Sequence, residues 1–379
     1  MDAFLKTDTV VWLAFVALVG LMVGSFLNVL VARLPYEKSI IWPGSRCFSC
    51  YQPISWSDNL PILGYLRLGG KCRSCGTAFS SRYLWVEVAT ALAFVALFSV
   101  EVIRPIHKFP SLKPIAAGLP PISLTAMFAY HAVLMSLLIA AALIDAQHRI
   151  IPPIIPYTGA IIGIVGGALM PWPWPHPAAA LDVFHGDSTG HLWQLTNWHG
   201  LVPVGVQPWP FTGPPPSWAP AATWKLGLLN SVIGALAGTF VVRWVKWLFE
   251  VGFGKEALGL GDADLLLMAG AFLGWQPVVM SLFVGAFAAL IVFKLPGIVI
   301  GFVRGAPIEH ELPFGPGLAV GVFATLLGWR WLGPKAQFVF FDVQTLAIMV
   351  GVMSIGMLAA GLLLRRNEDV PAAPEPAAK

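Results

Sequence analysis

The sequence predicts an all-α polytopic membrane protein, with about eight to nine transmembrane helices and one small polar domain between the first two. Three observations carry this. Hydrophobic residues make up 57% of the 379-residue chain and charged residues only 11%, against about 25% charged in soluble domains. The apolar residues fall into long runs separated by polar or Pro-rich breaks, the pattern of repeated bilayer crossing. All four cysteines lie in one basic stretch, 35–82. The net charge of +4 does not suggest a nucleic-acid partner, so the basic residues matter through their placement.

The first span occupies 1–34 and is apolar from Val10 to Leu34, long enough to cross a bilayer. It lacks the basic start and small-residue cleavage site of a signal peptide, so it reads as a retained helix. Arg33 and Lys38 follow it and only Lys6 precedes it. That asymmetry places the N-terminus outside and residues 35–82 in the cytoplasm. The region 83–170 holds three further spans, 83–103, 122–144 and 154–170. The middle one ends at Asp145, with His148 and Arg149 beyond it, before Pro152-Pro153 breaks the helix. Loop 104–121 would lie outside, where Arg104, Lys108 and Lys113 run against the positive-inside rule.

Residues 171–224 read as a Pro/Trp-rich extracytoplasmic insertion without a Lys or Arg. Its tryptophans suit the headgroup region. Its histidines (His176, His185, His191 and His199) show no paired metal-ligand spacing. The region 225–366 carries spans at 226–249, 263–274, 277–302, 316–332 and 343–364. The 263–274 segment is short for a full crossing and is expected to tilt or pack inside. Arg365-Arg366 puts the C-terminus inside, and the Pro/Ala-rich tail 367–379 reads as disordered. Nine crossings satisfy that parity.

Cys47-Phe-Ser-Cys50 and Cys72-Arg-Ser-Cys75 form two C-x-x-C pairs about twenty residues apart, the spacing of a structural four-cysteine zinc site. Each pair makes a tight turn that aims two sulfurs at one ion. Segment 35–82 is too small to fold on an apolar core alone, so the metal would stabilise it. Disulfides are the alternative, and a cytoplasmic location disfavours them. Cys47, Cys50, Cys72 and Cys75 are therefore the expected zinc ligands.

Two carboxylates stand at the edges of apolar segments, where an ionisable group is costly and usually functional. Gly259-Leu-Gly-Asp262 opens one segment and Asp145 closes another. Asp145 ends an inward-going helix and Asp262 begins an outward-going one, so both fall at the cytoplasmic boundary, where they could meet. Paired carboxylates suit aspartic proteolysis: one, ionised, activates a water and the other, protonated, donates to the carbonyl oxygen. Read singly, Asp262 also fits a helix N-cap, and Asp145 a partner for Arg149 four positions on.

With these residues the chain resembles the bacterial prepilin peptidases, the leader peptidase/N-methyltransferases of type IV pilus and type II secretion systems. The similarity runs through Gly24-Ser-Phe-Leu-Asn-Val29, Arg33-Leu-Pro35, Cys47-x-x-Cys50, Asp58-Asn-Leu-Pro61 and Gly70-Lys-Cys-Arg-x-Cys75. It continues through Ser81-Arg-Tyr83, Glu87, Asp145, Gly259-x-Gly-Asp262, Gly270-Ala-Phe-Leu-Gly274 and Pro313-Phe-Gly-Pro316. The 171–224 insertion and the final helix lie outside it. The resemblance implies an enzyme of the bacterial inner membrane. Asp145 and Asp262 would remove the basic leader of a prepilin or pseudopilin at the cytoplasmic face, after a Gly. Methylation of the new N-terminal residue from S-adenosylmethionine would follow. Zinc would be structural, and the pilus or secretion assembly machinery a further partner beside the lipid bilayer.

The chain departs from the family at three places. Phe48 stands where Pro is usual, Ile151-Pro-Pro153 lacks a third carboxylate, and Asp264 replaces a lysine two residues after Asp262. Asp264 should project away from Asp262 on a helix and is read as modulatory or structural. Glu87 is read as a structural partner of Arg82, with contact to a substrate amine as the other role. No Gly-rich nucleotide fingerprint marks the methyl-donor site. An ion-coupled transporter would also use membrane carboxylates, but it should show an internal repeat and midplane charges. A zinc-bearing scaffold would leave the paired aspartates unexplained.

Overall fold

The computed structural model describes residues 8–103, 122–169, 217–219, 223–254, 259–296, 298, 314–340 and 343–368. The expected 171–224 insertion lies almost wholly outside these residues, as do loop 104–121, Pro313 and the tail beyond 368. The described chain is helical, with two isolated β-bridges. Helix α1 (Asp8–Arg33) leads into the cysteine domain, which holds the short α2 (Leu63–Arg67). The chain returns through α3 (Arg82–Phe98), extended by a π-helical turn at Ser99–Ile103, then α4 (Ile122–His148) and α5 (Ile154–Leu169). After the insertion come α6 (Trp224–Phe253), α7 (Leu260–Leu273), α8 (Trp275–Ala288, continued to Lys294), α9 (Phe314–Phe340) and α10 (Val343–Glu368). Six of these are long and apolar enough to cross a membrane alone, whereas α5, α7 and the apolar start of α9 are shorter.

Helix α7 forms the centre. Its 14 residues rise only about 21 Å, less than the roughly 30 Å hydrocarbon core. Apart from Leu260, Gly261 and Leu267, it is buried, so of the two expected outcomes it packs inside. Gly270 meets the Gly234 backbone of α6, and Ala271 and Phe272 meet Gly163 of α5. In lipid this packing gains little from leaving water and relies on close contact between small residues. The same device joins α1 to α3. A Cβ on Gly20 would lie 2.7 Å from Ala91 Cα, and one on Gly24 2.7 Å from Glu87 Cα. Deeper in the bundle, Glu101 Oε1 and His131 Nδ1 are 2.6 Å apart and both side chains are fully buried, fastening α3 to α4.

Several helix ends differ from the sequence reading, and two of them are informative. Helix α4 runs on past 144 and stops at His148, ahead of the prolines. Arg149 turns left-handed at φ +55° and donates its backbone N–H to Asp145 O at 2.8 Å. Helix α9 continues to Phe340 through Pro334, a tolerance known for membrane helices with neighbours to satisfy the freed carbonyl.

The cysteine domain and several helix ends share one face. Arg82, which opens α3, hydrogen-bonds Gln147 near the end of α4. Tyr36 rests edge-on against His148, with centroids 5.6 Å apart. The end of α10 meets the end of α6 there, Gly361 beside Gly252 and Arg365 beside Gly254.

Candidate active site and metal centre

The cysteine domain consists of two matching knuckles. In the first, Cys47 N–H donates to Gln52 O at 3.0 Å and Tyr51 N–H to Cys47 O at 3.0 Å; in the second, Cys72 N–H donates to Thr77 O at 2.8 Å and Gly76 N–H to Cys72 O at 2.9 Å. Bridges Arg46–Pro53 and Lys71–Ala78 close them. The residue after each second cysteine is left-handed, Gly76 at φ +73° and Tyr51 at φ +57°. Glycine accepts this conformation freely and tyrosine does not.

These turns bring all four sulfurs within 4.8 Å of one another. Cys47 Sγ lies 3.8 Å from Cys75 Sγ, and Cys50 Sγ 3.9 Å from Cys72 Sγ. A tetrahedral ion with metal–sulfur bonds of about 2.3 Å requires sulfur–sulfur edges of about 3.8 Å. The cluster therefore fits a metal ion and is too wide for disulfides. Beside it, Arg73 grips Asp58 with two bonds of 2.5 and 2.7 Å. That pairing holds the Asp58 carboxyl down to about 2.

The two membrane-edge aspartates come from distant helices and lie within electrostatic reach of each other. Asp145, half-buried on the last turn of α4, accepts the backbone N–H of Gly315 at 3.1 Å through Oδ2. Gly315 opens α9, and a Cβ there would stand 2.5 Å from that oxygen and 2.9 Å from Asp145 Cγ. Only glycine allows the approach. Asp262 is buried. It is the third residue of α7, not its N-cap; Gly259 is the cap. The Asp262 carboxylate reaches back to accept Gly259 N–H at 3.2 Å, half of a capping box. Gly259 itself is extended, at φ −74°, so no unusual conformation demands glycine there. Gly261 has a steric role, since its added Cβ would lie 3.1 Å from Ile151 Cβ in the α4–α5 link. Helix α7 is thus pressed against the segment that follows Asp145.

Asp264 points into a different contact, as its helical position predicted. Its Oδ1 lies 3.5 Å from Arg243 Nη2 of α6, and its Oδ2 accepts the Tyr157 hydroxyl of α5 at 3.3 Å. The unexpected negative charge therefore has a cationic partner on the next helix and clasps three helices together. Glu87 corrects the expectation of an Arg82 pair. Its Oε2 accepts Ile62 N–H at 2.8 Å, while Arg82 bonds Gln147. Gly315, Arg243 and Tyr157 had no role assigned from sequence. Gly315 stood in a matched motif, but nothing local named its target. Arg243 sits mid-helix in an apolar run, which was the available signal.

An all-α membrane bundle with a four-cysteine cluster and paired carboxylates at one end defines the class. The profile of the Bacterial Peptidase A24 N-terminal domain matches residues 18–100, and that of the Type IV leader peptidase family matches 217–294. The chain is 31% identical over 284 residues to the prepilin leader peptidase/N-methyltransferase of Klebsiella pneumoniae, covering 73% of this chain and 92% of that protein. Identity to the protein of that name from Pseudomonas aeruginosa is 29% over 351 residues, covering 83% and 91%. For Dichelobacter nodosus it is 29% over 348 residues, covering 84% and 92%. No solved structure matches the chain. The chain belongs to the prepilin leader peptidase/N-methyltransferase family.

Proposed function

We propose that this protein is a membrane aspartic endopeptidase that removes the leader of type IV prepilins or type II secretion pseudopilins. N-methylation of the new N-terminus follows, and the product passes to the pilus or secretion assembly machinery. The observation that carries the reading is the convergence of Asp145 and Asp262 at the cysteine-domain end of the bundle, each fixed by a backbone N–H. In this reading that end faces the cytoplasm of the inner membrane, with the N-terminus outside, as the flanking charges require.

One aspartate, ionised, takes a proton from water, and the water oxygen attacks the scissile carbonyl carbon. The other, protonated, donates to the carbonyl oxygen. Collapse breaks the C–N bond, and a proton passes to the departing amine. Close carboxylates favour this shared-proton state because both do not ionise readily. Zinc on Cys47, Cys50, Cys72 and Cys75 holds the cysteine domain. S-adenosylmethionine supplies an electrophilic methyl group when bound. A transporter reading gains nothing from carboxylates gathered at one end of the bundle.

Coexpression with a prepilin tests the proteolytic step. Asp145→Asn and Asp262→Asn should each leave the leader attached while the protein stays in the membrane. Full processing by both variants would reject the dyad.

A further inference from the structure

The cysteine domain and the ends of α1 and α3 enclose a cavity of about 270 Å³ that the peptidase mechanism does not use. Its floor is Glu87, whose carboxylate is buried at the point where Gly24 brings α1 against α3. Glu87 is held by Ile62 N–H, which keeps it at the cavity wall. Asn28 stands beside it, fixed by its own bond to Tyr83 O at 3.0 Å. The upper wall is different. Phe48 and Phe79 pack edge-on with centroids 5.9 Å apart, and Tyr65 joins them by a 3.4 Å bond to Phe79 O. Arg33, Arg46 and Lys71 bring cationic side chains to the lining, and Asp58 a second carboxylate. A pocket lined by aromatic rings, cationic side chains and a buried carboxylate matches a small zwitterion carrying a flat heterocycle.

We infer that this cavity holds the methyl donor and that Glu87 accepts the proton of the amine being methylated; the inference rests on the N-methyltransferase reading above. The aromatic wall takes the adenine, Lys71 takes the donor's carboxylate, and Glu87 faces the incoming amine. In the transfer, the amine nitrogen lone pair forms a bond to the methyl carbon. The carbon–sulfur bond breaks with its electron pair staying on sulfur, which leaves a neutral thioether. The proton lost by the amine passes to the Glu87 carboxylate. The cavity lies at the same end as the aspartate pair. Arg82, next in sequence to the lining residue Tyr83, bonds Gln147, two residues beyond Asp145. A new N-terminus released at the dyad has a short path to Glu87.

Photolabelling of the full-length protein in detergent with methyl-tritiated S-adenosylmethionine, followed by peptide mapping, is the direct test. Label should map to peptides from 25–33, 45–71 or 79–87. Ala32→Trp, at an exposed position on the cavity lining, should cut labelling at least tenfold and leave leader cleavage unchanged. Glu87→Gln should keep the label but slow methylation by roughly 10²–10⁴-fold, with Glu87→Asp recovering part of the loss. Label that maps to α4 or α7, or persists in Ala32→Trp, overturns the site while methylation itself stands. A wild-type protein that cleaves leaders but neither takes label nor methylates rejects the N-methyltransferase reading, and the site with it.

Discussion

Cys47 and Cys50 share one turn, whereas Asp145 and Asp262 sit on helices far apart in the chain. Each knuckle is closed by its own backbone bonds within a few residues, and the ion has only to join two finished turns. The aspartates have no such local frame. Asp145 depends on Gly315, which arrives 170 residues later, and Asp262 on the position of α7 between α5 and α6. A site built from short turns folds with its metal. A site built from helix ends is only as good as the packing of the whole bundle.

The largest test of this contrast separates the two centres. Cys72→Ser should release the metal and unfold 35–82, since structural zinc is worth about 10–16 kcal/mol in isolated finger peptides. Methylation should vanish with it, while leader cleavage should remain measurable because the bonds holding the dyad involve no cysteine. Asp262→Asn should do the reverse, lowering cleavage by about 10²–10⁴-fold with zinc content unchanged by metal analysis. Equal loss of cleavage in both variants would show that the two centres are one folding unit.

Gly315→Ala sharpens the comparison on the membrane side. The new methyl group must push Asp145 or the start of α9 aside, and a displacement near 1 Å costs on the order of 10²-fold in rate. The effect should fall on kcat, with zinc content and membrane insertion unaltered. A fully active variant would mean that the Gly315 N–H does not fix Asp145.

What the sequence made legible follows the same division. The knuckles were readable because their ligands and turns are local in sequence. The apolar segments were readable because apolar length is a one-dimensional property, and the shortness of α7 already pointed to tilting or burial. The partners of Asp145 and Asp264 were not readable. Gly315 and Arg243 act through packing between helices, and nothing in their own neighbourhoods names the residue they meet. The end of α4 was missed for a related reason. The left-handed Arg149, not the proline pair, terminates it, and an arginine carries no turn signal.

Arg243→Ala should have a smaller effect. The contact is long for an ion pair, at 3.5 Å, so its loss should cost about 1 kcal/mol. Asp264→Asn in the same chain should recover most of that loss, because it removes the buried charge left without its cation. Thermal unfolding of the four members of the cycle measures the coupling. Strict additivity would deny that Arg243 compensates for Asp264.

Arg73→Ala gives the smallest change and isolates what the metal does not do. Arg73 holds the Asp58 carboxyl down to about 2, below the ordinary value of about 3.9. A carboxyl lowered on folding stabilises the fold above its unfolded pKa and loses that contribution as pH falls through the folded value. The ion pair therefore matters to acid stability only between about pH 4 and pH 2. Structure lost at higher pH would belong to release of a metal ion from the four cysteines. In Arg73→Ala the Asp58 carboxyl carbon, followed by NMR, should titrate near 3.9, while the pH of zinc release stays where it was. A shift of zinc release with Asp58 would instead make the ion pair part of the metal site, and the knuckles less self-contained than their turns imply.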